Sequence, residues 1–219
     1  MLALLGLATA WPLDALALES PVLVGFLSSG SSNAYEDFLA SFRRGLEVLG
    51  YTEGRNTVIE SRWADGRSAE LPALAEDLVR RNVHLIAATG IGSALAAKAA
   101  TSRIPLVFVS GDDPVRFGLV ASFSRPGGHA TGVNRQTSTL VGKRLDLVYD
   151  LAPTGRVAFL TNPTNPEAAT QLADVQAAAL ASMRQIMIMV AQNESELDHA
   201  FAALVDRAVS GKIVLDVTA

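Results

Sequence analysis

VLVGFLSSGSSNAYEDFLASFRRGLEVLG, residues 22–50, holds one complete structural unit of the chain. Val22, Leu23, Val24, Phe26 and Leu27 form a short, near-continuous apolar run with no polar face, as a parallel strand covered on both sides by helices requires. Four serines and a glycine follow, Ser28-Ser29-Gly30-Ser31-Ser32. Beyond them Asn33 and Glu36 stand at capping-box spacing, and Phe38, Leu39, Phe42, Leu46 and Leu49 recur at helical intervals until Gly50. The reading is therefore strand, hydroxyl-rich loop, helix. Such a loop places free peptide N–H groups and hydroxyls where the strand ends and the positive end of the helix begins, which suits a small polar or anionic ligand.

The same unit repeats along the chain. Residues 57–63 alternate as a half-exposed strand, 68–81 carry helical periodicity, 83–88 read as a third strand, 93–101 as an alanine-rich helix and 105–109 as a fourth strand. Each strand opens into a polar or glycine-containing loop: Thr89-Gly90-Ile91-Gly92 after the third, Ser110-Gly111-Asp112-Asp113-Pro114 after the fourth. Strands alternating with helices imply an α/β fold with a doubly wound parallel sheet. Arg125-Pro126-Gly127-Gly128 interrupts the pattern, with a short strand expected at 130–133 and a helix at 138–151. The alternation then resumes with strands at 157–160, 186–190 and 213–215 and helices at 167–183 and 194–208. The expected organisation is a first α/β lobe at 21–133, a crossover at 134–155 and a second, incomplete lobe at 156–219. Its open sheet edges make that second lobe the less stable part.

Composition narrows the function. A chain of 219 residues with 49% hydrophobic and 18% charged content can bury a sizeable core. A net charge of −4 without any Lys/Arg cluster excludes nucleic acid and anionic membrane surfaces as expected partners. Cysteine is absent, which removes thiol catalysis, cysteine metal sites and disulfides. His84, His129 and His199 do not fall at metal-ligand spacing, so no metal, cofactor or catalytic residue is expected. MLALLGLATAWPLDALA, residues 1–17, has an apolar stretch of signal-peptide length ending in Ala15-Leu16-Ala17, a cleavage-type tripeptide, and is too short to span a bilayer. No basic residue precedes the apolar run. Export as a soluble periplasmic protein, without stable membrane insertion, is the expectation.

Several segments taken together carry a resemblance. GFLSSGSSNAY, LGYTEGRN, LPALAEDLVRRNVHLIAATG, ALAAKAATSRIPLVFVSGDDPV, RPGGHATGV and VAFLTNPTNPEA, in that order over residues 21–204, closely resemble the substrate-binding proteins of ABC importers with the type I periplasmic-binding fold. The resemblance implies two Rossmann-like lobes with a ligand in the cleft between them, a small-molecule solute and a permease subunit as partners, and no enzymatic activity. Carried onto this sequence, it implies that Ser28, Ser29, Thr89, Gly90, Asp112, Asp113 and Pro114 form the first lobe's cleft face and Asn162 part of the second. It further implies a small polar solute, an amino acid or a related molecule, and a chain shortened at its carboxyl end. The exit loop after the third strand departs from the family's usual Ala-Thr-Gly-Thr-Pro.

Sharper motifs compete and fall short. Gly90-Ile91-Gly92 followed by Asp112 has part of a dinucleotide fingerprint, yet Leu95 stands where the third glycine belongs. A cytoplasmic Rossmann-like enzyme or nucleotide-binding domain is the alternative this leaves. Gly25 to Gly30 lacks the Gly-x-Ser-x-Gly spacing of a nucleophile elbow. Of Asp112 and Asp113, one is expected to cap the following turn and the other to face the cleft, where it can hold an amino group. Tyr35 and Trp63 are aromatic-wall candidates, with core packing the default for either.

Overall fold

The computed structural model describes residues 20–153, 155, 157–206 and 214–215; the leader expected at 1–17 lies outside them. In chain order the elements are β1 (Val22–Ser28), α1 (Glu36–Val48), β2 (Thr57–Trp63), a 3-10 turn (Ser68–Glu70) running into α2 (Leu71–Arg80), β3 (Leu85–Thr89), α3 (Ile91–Ala100), β4 (Leu106–Ser110) and β5 (Ala130–Asn134). After a second 3-10 turn (Thr137–Leu140) come α4 (Val141–Leu151), β6 (Val157–Thr161), α5 (Ala168–Ala181), β7 (Ile186–Val190), α6 (Glu194–Asp206) and β8 (Val214–Leu215). Two sheets result, ordered β2-β1-β3-β4-β5 and β7-β6-β8, with every strand pair parallel.

Register fixes which side chains meet which layer. Along β1, Leu27 points with Ile86 and Ala88 of β3 and Leu106 and Phe108 of β4 into the layer built with α2 and α3, where Leu71, Leu78 and Ile91 are also fully enclosed. Burying a leucine or isoleucine side chain there contributes about 2 kcal/mol. On the opposite face Phe26, Leu39 and Ala87 form a smaller cluster with Phe38, Phe42 and Trp63 of the α1 side. Trp63 lies 5.2 Å from the Phe26 ring and 6.4 Å from that of Tyr35, so both aromatic-wall candidates pack into this layer. Coverage on that face is incomplete over β4 and β5, where Val107 and Val133 are exposed.

Helix α1 begins differently from its sequence signal. The Asn33–Glu36 capping box does not form, because the helix starts at Glu36 without a side-chain cap. Ser31 makes the preceding turn instead: its carbonyl accepts the Tyr35 N–H at 3.2 Å and its hydroxyl accepts the Ala34 N–H at 3.3 Å. At the other end Gly50 takes φ +87°, and the N–H groups of Gly50 and Tyr51 donate to the Glu47 and Leu46 carbonyls at 2.9 Å each. That double bond is a Schellman closure, which needs the left-handed residue only glycine adopts freely.

Helix α4 carries the chain from the first sheet to the second and also packs in the second unit. Leu145, Val148 and Tyr149 meet Val157 and Ala179, while Val141 meets Phe159 and Val175. The segment expected as a crossover thus supplies half of the core beneath β6.

Candidate functional site

In a parallel sheet all strand-exit loops lie on one edge. Ser28 pairs with Thr89, and Thr89 in turn with Val109, next to Ser110. The loops after β1, β3 and β4 therefore share an edge, bringing Ser28, Ser29, Thr89, Gly90, Asp112, Asp113 and Pro114 together. Ser28 is fully buried and its hydroxyl accepts the Gly30 N–H at 3.2 Å, which makes it a loop-shaping residue. Ser29 is half-buried beside Gly90, whose φ of +82° turns the chain from β3 directly into α3. Asp113 caps the next turn, its carboxylate accepting the N–H groups of Val115 at 2.8 Å and Arg116 at 3.2 Å. The buried Pro114 offers its carbonyl to the N–H groups of Leu119 and Val120. Asp112 is held through its backbone: the Ser110 hydroxyl donates to its carbonyl at 2.8 Å and accepts its N–H at 3.0 Å.

The second unit faces this edge with the end of β6 and the start of α5. Asn162 uses its side-chain oxygen to accept the Thr164 N–H at 3.0 Å and hydroxyl at 2.8 Å, closing its own loop. Two contacts then cross the cleft. The Arg116 guanidinium bonds both carboxylate oxygens of Asp174, at 2.9 and 3.1 Å. Pro166 packs alongside, so close to Gly92 that a β-carbon there would meet its ring at 3.4 Å.

The electrostatics are those of a partly dehydrated acidic site. Burial pushes the Asp112 carboxyl above its ordinary range, the negative charge of Asp174 adds to this and Arg116 opposes it. Burial likewise raises Glu167, and the negative charge of Asp112 adds to this. Besides Thr89, already a candidate from its place after the third strand, Ser93 and Thr161 carry buried hydroxyls that the sequence does not single out. The side-chain oxygens of Thr89, Ser93 and Thr161, on residues 5%, 0% and 6% exposed, are shielded from solvent and have no hydrogen-bond partner in the protein. Thr89 ends β3, Ser93 lies in the first turn of α3 and Thr161 ends β6. Buried hydroxyls are normally bonded, so these three, two at strand ends and one in the first turn of a helix, stand out. A position one residue past an apolar strand signals such a residue; Glu167 and Asp174, inside ordinary helix sequence, carry no such signal.

Residues 26–218 match the family model described as ABC transporter substrate binding protein. This chain belongs to that family. That description is of a substrate-binding component, not of an enzyme. The tyrosine-binding protein of Clostridioides difficile (strain R20291) is 29% identical over 167 residues, covering 76% of this chain and 48% of that relative. This family member thus spans about half the length of the curated relative it matches. A conserved domain protein of Vibrio cholerae superposes with TM-score 0.75 at 22% identity over 86% of this chain and 64% of that one. The ABC domain of Streptococcus pneumonia in complex with L-Trp superposes with TM-score 0.74 at 18% identity over 90% and 65%. These likenesses show the type I periplasmic-binding fold, as expected from the alternation of strands and helices.

Among the described residues no helix is long and apolar enough to cross a membrane, and no group of three or more His, Asp and Glu is placed to hold a metal ion.

Proposed function

We propose that this chain is the solute-binding component of an ABC-type importer and that it binds a small polar molecule, an amino acid, in the cleft between its two sheets. The observations that carry the reading are the buried hydroxyls without partners, on Thr89, Ser93 and Thr161, and the half-buried carboxylate of Asp112 at the strand-exit edge. An amino acid offers complementary groups: its ammonium suits Asp112, and its carboxylate suits the hydroxyls and the positive end of α3. Ser29 and Gly90 line the same edge, whereas Ser28, Asp113, Pro114 and Asn162 shape the loops that carry it. Support comes also from a relative named for tyrosine and a structural neighbour solved with L-Trp. In this reading the protein is exported to the periplasm by its leader and hands the solute to a permease.

The test is a thermal-shift screen of the twenty amino acids against the purified chain, with ATP and NAD as controls for a nucleotide-binding domain. A solute at a hundred times its Kd raises stability by about 2.7 kcal/mol, which moves the midpoint by about 5–10 °C for a domain of this size. Stabilisation by one or a few amino acids is expected. Stabilisation by nucleotides alone would refute the reading.

A further inference from the structure

On the α1 face of the first sheet, just below the strand-exit edge, lies a pocket of about 160 Å³ between helix α1 and strands β3 and β4. We propose that this pocket receives the solute's side chain, which makes the solute an amino acid with a single unsubstituted ring or a large aliphatic side chain, phenylalanine or leucine. The inference rests on the amino-acid reading of the cleft and names the solute class within it.

The pocket follows from how α1 seats itself. Phe38 and Phe42, four residues apart on α1, set their rings 6.3 and 5.8 Å from that of Phe26 on β1, and Trp63 of β2 closes the far side of Phe26 at 5.2 Å. The helix is thereby drawn over β1 and β2. Cover stops short of β4, where Val107 is 38% exposed. Between the two, the three phenylalanines form one wall and Val107 and Val109 the other. Side chains alternate along a strand, so Thr89 shares the face of Ala87, and the pocket ends at Thr89, the last residue of β3. Val109 likewise precedes Ser110, whose hydroxyl holds the Asp112 backbone. An amino acid whose ammonium and carboxylate lie along that edge has this pocket beneath its side chain.

Lining and size then select among side chains. The hydroxyl-bearing residues of the wall are Ser41 and Thr89. Ser41 is engaged already, its hydroxyl donating to the Asp37 carbonyl at 2.8 Å and accepting from the Arg44 guanidinium at 2.7 Å. Thr89 has a hydroxyl without a partner, but at the edge where the solute's own polar groups belong. The remaining wall is Phe, Val and Ala, so a phenol or a charged group inside would lose its hydrogen bonds to water and gain none. An apolar cavity of about 150 Å³ accommodates one benzene molecule. A single ring therefore matches the pocket, whereas the second ring of an indole requires Phe42 or Val107 to move.

Isothermal titration of the full chain with L-phenylalanine, L-leucine, L-tyrosine, L-tryptophan and L-alanine tests the assignment. Phenylalanine or leucine should bind at least about tenfold more tightly than alanine, the worth of burying the larger side chain. Tyrosine and tryptophan should bind at least about tenfold more weakly than phenylalanine, the first for its unpaired hydroxyl and the second for its bulk. Val107→Phe fills the pocket from its exposed rim; it should bring phenylalanine down to the affinity of alanine and leave alanine binding unchanged. Alanine, tyrosine or tryptophan bound as tightly as phenylalanine by the parent chain overturns the proposal and leaves the amino-acid reading standing, as does unchanged phenylalanine affinity in Val107→Phe. Absence of binding by all five overturns both. Should Val107→Phe fail to fold, Phe42→Ala decides: enlarging the pocket should raise tryptophan to at least the affinity of phenylalanine, and an unaltered preference for phenylalanine overturns the proposal.

Discussion

Replacing the buried hydroxyls should make the solute-free protein more stable, a gain that runs against the usual direction of core mutations. Ser93 is fully enclosed and its oxygen has no partner. A hydroxyl in that state costs about 1–3 kcal/mol of desolvation. Ser93→Ala removes one oxygen and leaves too small a space for a large cavity penalty, so a net gain of about 1 kcal/mol is expected. Thr89→Val and Thr161→Val keep the side-chain shape and exchange the hydroxyl for a methyl, with gains of similar size. The three positions lie on β3, α3 and β6, and their combined effect should reach about 2–3 kcal/mol, raising the midpoint by about 5–10 °C. Ser110 is the control. It is equally buried, but its hydroxyl bonds both the carbonyl and the N–H of Asp112, so Ser110→Ala should cost about 1–2 kcal/mol. Urea unfolding with m held constant across the series measures all four. Losses of about 1 kcal/mol or more in Ser93→Ala and Thr161→Val would mean that these hydroxyls are satisfied within the protein, and the argument for a ligand site there would collapse.

The remaining predictions concern packing and protonation. Leu78→Ala in the larger core layer, where Leu78 touches the chain at Gly25, should cost about 3–4 kcal/mol in the same assay, and a loss below about 1 kcal/mol would deny that this layer dominates stability. At Gly132 of β5 an added β-carbon would run into the Phe108 carbonyl and ring of β4; Gly132→Ala should therefore detach the edge strand and cost about 3 kcal/mol or more, seen as loss of amide protection at residues 130–134. Asp112 and Glu167 both have raised carboxyl pKa values in the folded chain, so their contribution to stability is present at low pH and is lost as pH rises above their ordinary 3.8 and 4.5 through the raised values. Asp112→Asn should flatten that decline in a thermal-melt series, and an identical pH profile in the variant would contradict the assignment.

Local elements were legible in the sequence wherever a periodic apolar pattern met a turn residue. The run from Val22 to Leu27 gave β1, residues 57–63 gave β2 and Gly50 closed α1 where the spacing placed it. The first turn of α1 was not legible, because Asn33 and Glu36 have the right spacing but Ser31 captures the local N–H groups first. The edge of the first sheet that gathers Ser29, Thr89, Gly90 and Asp112 follows from parallel topology alone. What the spacing could not disclose is everything that depends on the second unit's approach: Asp174 acquires its role only by meeting Arg116, and Pro166 only by packing on Gly92. Periodicity describes a residue's own element; these roles arise between elements far apart in sequence.

The proposed amino-acid site uses the hydroxyls of Thr89, Ser93 and Thr161 and the carboxylate of Asp112. Isothermal titration of the 219-residue chain with the amino acid that gives the largest thermal shift, run beside the Ser93→Ala/Thr161→Val double variant, tests it most directly. The account predicts saturable one-to-one binding to the parent chain and affinity at least about tenfold weaker in the double variant, each lost hydrogen bond to a charged group being worth about 1.5 kcal/mol or more. Equal affinity in parent and variant would contradict it.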